Sequence, residues 1–398
     1  MKAERFTITN IRIIYGEEFR LVEKGYLTVK EGEISEIGEG SPPPEGVKLD
    51  GRGLTAIPGF INLHTHLGDS AAKELGLGLK LEEAVAPPHG FKHRFLREAK
   101  PETLIRHMAN SLRDMVSTGT VFFADFREGG IEGVKLLREA LKASLIKGLI
   151  LGRPKHPSEN GDFEGELEGL AKAADGLGVG SLGSYTDSQL KLIAEKFKGK
   201  IRAAHAAEAL KRREEASEVE RALRLLKPTF LVHLTHAEEW ELEEASRRKV
   251  GVAVCLRSNA TFGLGLPDVK KMVDLGLKVG LGTDNVMTCQ PNLFSELEFA
   301  SRVLRLVYRD SSFPPPSLLL KMVTVWPAEI LGLKGRLGVL EEGAEASFFL
   351  ADLEAANVAP VHRVLASIVH RVRPENVMLT FVEGKIAFTR LPPGEWES

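Results

Sequence analysis

Cysteine is scarce in this 398-residue sequence, where only Cys255 and Cys289 occur. Two are too few for a disulfide framework, and that usage fits a reducing compartment. Long apolar runs are missing as well. No uninterrupted stretch approaches the roughly 20 residues a membrane helix needs, and the opening MKAERFTITN has no apolar signal core. Net charge is almost absent, at a formal −2, so there is no electrostatic case for nucleic acid or an anionic membrane. The expectation is a cytoplasmic soluble protein without nucleic-acid or membrane partners, and a homo-oligomer is compatible with it. Hydrophobic residues at 43% and charged residues at 27% are those of an ordinary globular chain. The length suits one large domain with an appendage, or two domains.

The two ends share a texture. FTITNIRIIYG and GYLTVKEGEISEIGEG near the start, and GRLGVLEEGAEASFFLADL and NVMLTFVEGKIAFTR near the finish, are short, alternating and rich in turns. One small β-sandwich built from both termini, residues 1–55 and 338–398, explains them; edge strands added to a single domain are the simpler alternative. Between them, over 56–337, apolar runs alternate with amphipathic ones. Strands are expected at Ala56–His66, Thr120–Asp125, Leu145–Leu151, Val179–Ser184, Ile201–His205, Phe230–Thr235, Gly251–Leu256 and Lys278–Thr283. Helices are expected at Pro101–Thr118, Ile131–Ala143, Ser188–Lys198, Ala209–Leu226, Glu238–Lys249 and Leu266–Leu275. Eight such repeats predict an α/β fold, a closed (β/α)8 TIM barrel. An open doubly wound sheet is the alternative, but no GxGxxG follows the first strand.

Barrel chemistry collects at the carboxyl ends of the strands, and the histidines are concentrated there. The first strand ends in His64 and His66, which alternate onto one face. The fifth ends in His205, with Glu208 three residues on; the sixth carries His233 and then His236; the eighth ends in Asp284. Only 11 histidines occur in the chain, so five at strand ends, beside a carboxylate, point to a catalytic metal with N/O ligands and an open position for water. His64, His66, His205 and Asp284 suit the ligand roles. His233 is placed to orient the water, and Glu208 to shuttle a proton to a substrate atom.

The motifs PGFINLHTH, HAAE, LVHLTH, SNATFGLGLPDVKKMVDLGLKVGLGTDN and the terminal GRLGVLEEGAEASFFLADL with VEGKIAF resemble the amidohydrolase superfamily, in its branch of aromatic-ring deaminases and chlorohydrolases. The resemblance spans nearly the whole chain. It implies one zinc or iron ion on His64, His66, His205 and Asp284, water handled by His233 and Asp284, and ring protonation by Glu208. GSLGSYTDS offers no lysine at the fourth strand's end, which favours a mononuclear centre. The implied reaction is hydrolytic deamination of an amino-substituted heterocycle, purine-, pyrimidine- or pterin-like. Cleavage of a C–Cl or cyclic amide bond is the alternative, and an inactive amidohydrolase-like scaffold the rival from another class.

Other residues are weighed against ordinary structural roles. Lys92 and His93, in PPHGFKH, could meet an acidic substrate group from a loop over the barrel mouth. Arg257 and Asn259, in Cys255-Leu256-Arg257-Ser258-Asn259, are further candidates for substrate binding, as is His236. Arg127 and Arg153 also fall at the active face, where ion pairing is the plainer role. His107, His362 and His370 read as structural or exposed, and His156 as a loop residue. The loop between His66 and Leu96 departs from relatives of adenosine type, which places substrate discrimination there.

Overall fold

Pro58–Gly59 is where the chain leaves one sheet for another. The computed structural model describes residues 5–40, 42, 46–155, 161–210 and 217–392. Five strands precede the switch: β1 (Arg5–Tyr15), β2 (Arg20–Lys30), β3 (Glu33–Glu39), β4 (Val47–Asp50) and β5 (Thr55–Pro58). β1 to β3 form an antiparallel meander, and β4 and β5 lie parallel to β1. β6 (Phe60–His66) then opens the barrel, so the single strand expected over Ala56–His66 is two strands. Both halves are apolar and buried. They belong to different sheets because a proline followed by glycine turns the backbone between them.

The barrel continues with β7 (Thr120–Arg127), β8 (Lys147–Gly152), β9 (Gly176–Ser181), β10 (Ile201–Ala206), β11 (Phe230–His233) and β12 (Gly251–Val254). The eighth strand is broken into β13 (Val279–Leu281) and β14 (Asp284–Asn285). The barrel pairings are parallel, and β14 pairs with β6, so the sheet returns to its first strand. β9 starts and ends earlier than expected, because its last predicted residues, Leu182–Ser184, turn into a 3-10 segment. Helices alternate with the strands as the apolar spacing demands. The helix Pro101–Ser117, for instance, has proline in its first turn and buries Leu104, Met108, Leu112 and Met115, four residues that recur every three or four positions. Part of the expected Ala209–Leu226 helix lies outside the described residues, as does His156.

After the barrel, β15 (Phe348–Ala351), β16 (Val377–Val382) and β17 (Lys385–Thr389) join the first sheet, β15 pairing antiparallel to β5. Both termini therefore build that sheet. Phe60 of β6 meets Phe349 of β15 edge-on, with ring centroids 5.0 Å apart. Phe348 stacks on Phe381 at 4.7 Å. Aromatic packing thus ties the small sheet to the base of the first barrel strand. No described helix is long and apolar enough to cross a membrane.

Candidate metal centre

The carboxyl ends of β6, β10, β11 and β14 bring together the residues that the sequence places at strand ends. His64 and His66 share a face of β6, their ring centroids 4.8 Å apart. Their Nε2 atoms lie 3.2 and 3.3 Å from Asp284 Oδ1. His205 Nε2 is 3.1 Å from His64 Nε2. Donor atoms of His64, His205, His233 and Asp284 all fall within 4.8 Å of one another; His66 flanks this quartet through Asp284. The break in the eighth strand makes the approach possible. A Cβ on Gly282 would stand 2.7 Å from His64 Cβ and 2.8 Å from His64 O, so only glycine fits there. Asn62 pins the break, donating to Thr283 Oγ1 and accepting from Thr283 N.

The backbone at these ends is strained. His233 has φ +74°, Leu234 +50° and Asp284 +59°, left-handed conformations that non-glycine residues hold only where the surroundings insist. Hydrogen bonds supply that insistence. Asp284 Oδ2 accepts from Ser258 Oγ at 2.5 Å, and Asp284 O accepts from Thr65 Oγ1 at 3.2 Å. Asn259 Nδ2 donates to Thr235 Oγ1 at 2.7 Å, so its Oδ1 faces His233 Nδ1 at 3.2 Å. An amide oxygen only accepts, so the proton of His233 sits on Nδ1 and its Nε2 lone pair turns into the centre.

Burial leaves His64 and His205 neutral. It drives the His64 pKa down to about 3, against a hydrogen bond to Asp284 that pulls the other way. It also puts His205 well below its ordinary value. Burial alone would raise Asp284, but its hydrogen bond with His64 and the electrostatic pull of the His233, His64 and His66 rings hold it well below the carboxylate range. The two facing Nε2 atoms of His64 and His205 can share at most one proton, and His64 Nδ1 has no partner. Neutral nitrogens converging on an ionised carboxylate fit a divalent cation.

Glu208 lies beyond β10 with Oε1 3.4 Å from His233 Nε2. Burial raises its pKa, opposed by His233. It lines a cavity of about 210 Å³ together with His66, His205, His233, Asp284, Arg153 and Leu81. A second cavity, of about 390 Å³, shares Pro87, Arg153 and Ser181 with the first. The helix α1 (Leu81–Val85) covers the mouth, and α2 (Phe91–Glu98) follows it.

Other sequence candidates have different surroundings. Lys92, on α2, lines the first cavity, but its ammonium is 2.7 Å from Asn285 Oδ1, 2.5 Å from Glu128 Oε1 and 3.4 Å from Asp69 Oδ2. His93 lines the second cavity and donates Nε2–H to Val85 O at 3.1 Å. Arg257 lines neither of these two cavities. Its guanidinium bonds Glu296 Oε1 at 2.6 Å and the Gln290 carbonyl at 2.6 Å, because burial would otherwise leave the Glu296 carboxylate uncompensated. Asn259 acts on His233, and His236 is half-buried outside the residues lining both cavities. Asp69, Ser258 and Asn285 were not read from sequence as site residues. Asp69, three residues past His66 in the same motif, is the one whose position could have signalled it.

Neutral imidazoles and one carboxylate at the carboxyl face of a (β/α)8 barrel define a class, the metal-dependent barrel hydrolases. The chain belongs to the amidohydrolase family, whose model matches residues 55–387. It is 34% identical over 391 residues to a putative aminohydrolase of Methanothermobacter thermautotrophicus, covering 95% of this chain and 98% of that protein. It is 27% identical over 401 residues to a 5-methylthioadenosine/S-adenosylhomocysteine deaminase of Moorella thermoacetica, covering 93% and 91%. An adenosine deaminase from Xanthomonas campestris, solved with bound zinc, superimposes with TM-score 0.82 at 18% identity, over 97% of this chain and 93% of that one.

Proposed function

We propose that this chain hydrolytically deaminates an amino-substituted N-heterocycle, purine-, pyrimidine- or pterin-like, using one divalent ion, zinc before iron. The observation that carries the reading is Glu208, a half-buried carboxyl whose pKa is raised, 3.4 Å from His233 Nε2 and lining the same cavity as His66, His205, His233 and Asp284. In this reading His64, His66, His205 and Asp284 hold the ion, which when bound supplies Lewis acidity for activating water. His233, fixed by Asn259, orients the attacking water through Nε2. Glu208 gives its proton to the ring nitrogen, which makes the adjacent C–NH2 carbon electrophilic. The water oxygen bonds to that carbon, one of its protons passes through Asp284 to the amino group and the other returns to Glu208, and the C–N bond breaks to release ammonia and leave a ring carbonyl. A carboxyl whose pKa is raised by burial is suited to that first donation.

Ammonia release from aminopurines, aminopyrimidines and aminopterins, measured beside chloro-heterocycles and cyclic amides, tests the reading. Turnover of amino rings is expected. Turnover confined to lactams or chlorinated rings would replace deamination by the alternative hydrolysis at the same centre. Glu208→Gln should keep the metal and lose nearly all turnover.

A further inference from the structure

His66 differs from the other imidazoles of the centre in what holds its far nitrogen. Its Nδ1 lies 2.7 Å from Glu128 Oε1 and 3.2 Å from the Phe126 carbonyl. The hydrogen bond runs to the Phe126 carbonyl, which only accepts, so Nδ1 carries the proton and the Nε2 lone pair points toward Asp284 and the metal centre; Glu128 Oε1 stands nearer, in ion-pair contact with the ring rather than in line with its N–H. The carboxylate is itself clamped. Arg127 Nη2 donates to its Oε2 at 2.5 Å, and Lys92 Nζ lies 2.5 Å from its Oε1. Lys92, only 2% exposed, also bonds Asn285, the residue after Asp284. The backbone is fixed too, for a Cβ on Gly133 would stand 1.7 Å from Glu128 O. The chain therefore runs Asn285–Lys92–Glu128–His66–Asp284, joining β6, the end of β7 and β14 through α2 without a solvent-exposed member.

We propose that Glu128 is the positioning residue of the metal centre: clamped by Lys92 and Arg127, it fixes the tautomer and orientation in which His66 offers Nε2 to the ion. The proposal rests on the reading of His66 as a ligand. A carboxylate behind a ligating imidazole fixes the ring and raises its basicity, and losing one weakens metal binding about 10–100-fold. Phe126 O accepts the Nδ1 proton at 3.2 Å, and the Glu128 carboxylate beside it adds the charge that raises the basicity of the ring.

Zinc affinity, measured by chelator competition on wild type, Glu128→Ala, Glu128→Gln, Glu128→Asp, His66→Ala and the His66→Ala/Glu128→Ala double variant, tests this without reference to turnover. Glu128→Ala should bind zinc about 10–100-fold more weakly. Glu128→Gln, which keeps an oxygen facing Nδ1, should recover most of that loss. The double variant should bind no more weakly than His66→Ala, because Glu128 acts through the ring that has been removed. Glu128→Asp keeps the charge beside Lys92 and Arg127 but withdraws the oxygen from Nδ1. It supplies the same test if the alanine variant does not fold, and it too should lose at least about tenfold. Zinc affinity unchanged in Glu128→Ala or Glu128→Asp overturns the proposal. So does a double variant weaker than His66→Ala by the full single-variant factor, since Glu128 would then act elsewhere. Unaltered affinity in His66→Ala alone removes the ligand reading of His66 and the proposal with it. Deamination by the other residues would be left standing.

Discussion

The barrel mouth has two sides built on opposite principles. One gathers His64, His205, His233 and Asp284, whose donor atoms crowd within 4.8 Å with too few protons to satisfy them. The other sets Asp69, Asp125 and Glu128 against Lys92, Arg127 and Arg153, with each cation within 3.7 Å of a carboxylate. The first side is incomplete without a cation, and the second already contains its own. Buried charges that are paired hold elements in place, while buried lone pairs that are not paired form a site. The ion-pair side therefore holds the fold and, through Glu128, the orientation of His66, while the imidazole side carries the chemistry.

The sharpest way to break that division is Asp284→Asn. The variant loses the ionised carboxylate of the quartet and should fail to retain zinc. Turnover should fall by at least roughly 10³-fold, the equivalent of several kcal/mol of transition-state stabilisation. Its metal-free form should unfold in urea within about 1 kcal/mol of wild type, the usual range for a substitution that opens no cavity. Loss of folding instead would mean that the imidazole side is structural as well. Lys92→Met makes the opposite test. It leaves Glu128 and Asp69 buried beside an apolar side chain, and breaking a buried pair from one end costs about 3–5 kcal/mol. Urea unfolding of the metal-free protein should show that loss, and an unchanged midpoint would deny the network its structural role.

The two sides also differed in how far they could be read from sequence. His64, His66, His205, His233 and Asp284 stand at the ends of apolar runs, where period-two alternation and the geometry of a parallel barrel fix their direction. Lys92 offers no such pattern. It sits in a short helix, and a lysine there is ordinarily solvent-exposed, so a substrate contact was the natural expectation. Its partners lie 23 residues before it (Asp69), 36 after it (Glu128) and 193 after it (Asn285), separations that only the folded barrel joins. Arg257 is alike, for its partner Glu296 is 39 residues further along. The run Ala56–His66 read as one strand because apolar character continues across Pro58–Gly59, although the pairing partners change there from β15 to β7.

Asn259→Ala sharpens the division within the imidazole side. The variant frees the His233 ring to turn or change tautomer while leaving all four proposed ligands untouched. Turnover should fall about 10–100-fold, the range for removing such a hydrogen-bonding partner, with zinc affinity within a few-fold of wild type. If zinc affinity falls by the same factor, His233 ligates the ion and does not merely orient water.

The smallest effect concerns His93, which is uncharged in the fold although it borders the ion-pair side. Burial, then the charges of Arg153 and Lys92, push its pKa down to about 3, against Glu128 and the bond to Val85 O. An unfolded chain binds this proton near pH 6.5. Between the two values the unfolded state carries a proton that the folded state refuses, so this residue's contribution to stability is intact above about pH 6.5 and declines as the pH falls. The decline is at most about 1.4 kcal/mol per pH unit. His93→Gln keeps an N–H for Val85 O and has nothing to titrate. Metal-free wild type and variant should unfold at similar urea concentrations at pH 7, and the variant should lose stability less steeply from pH 6 to pH 4. Parallel curves would mean that His93 takes up its proton inside the fold, and that the ion-pair side tolerates one more positive charge than its own carboxylates balance.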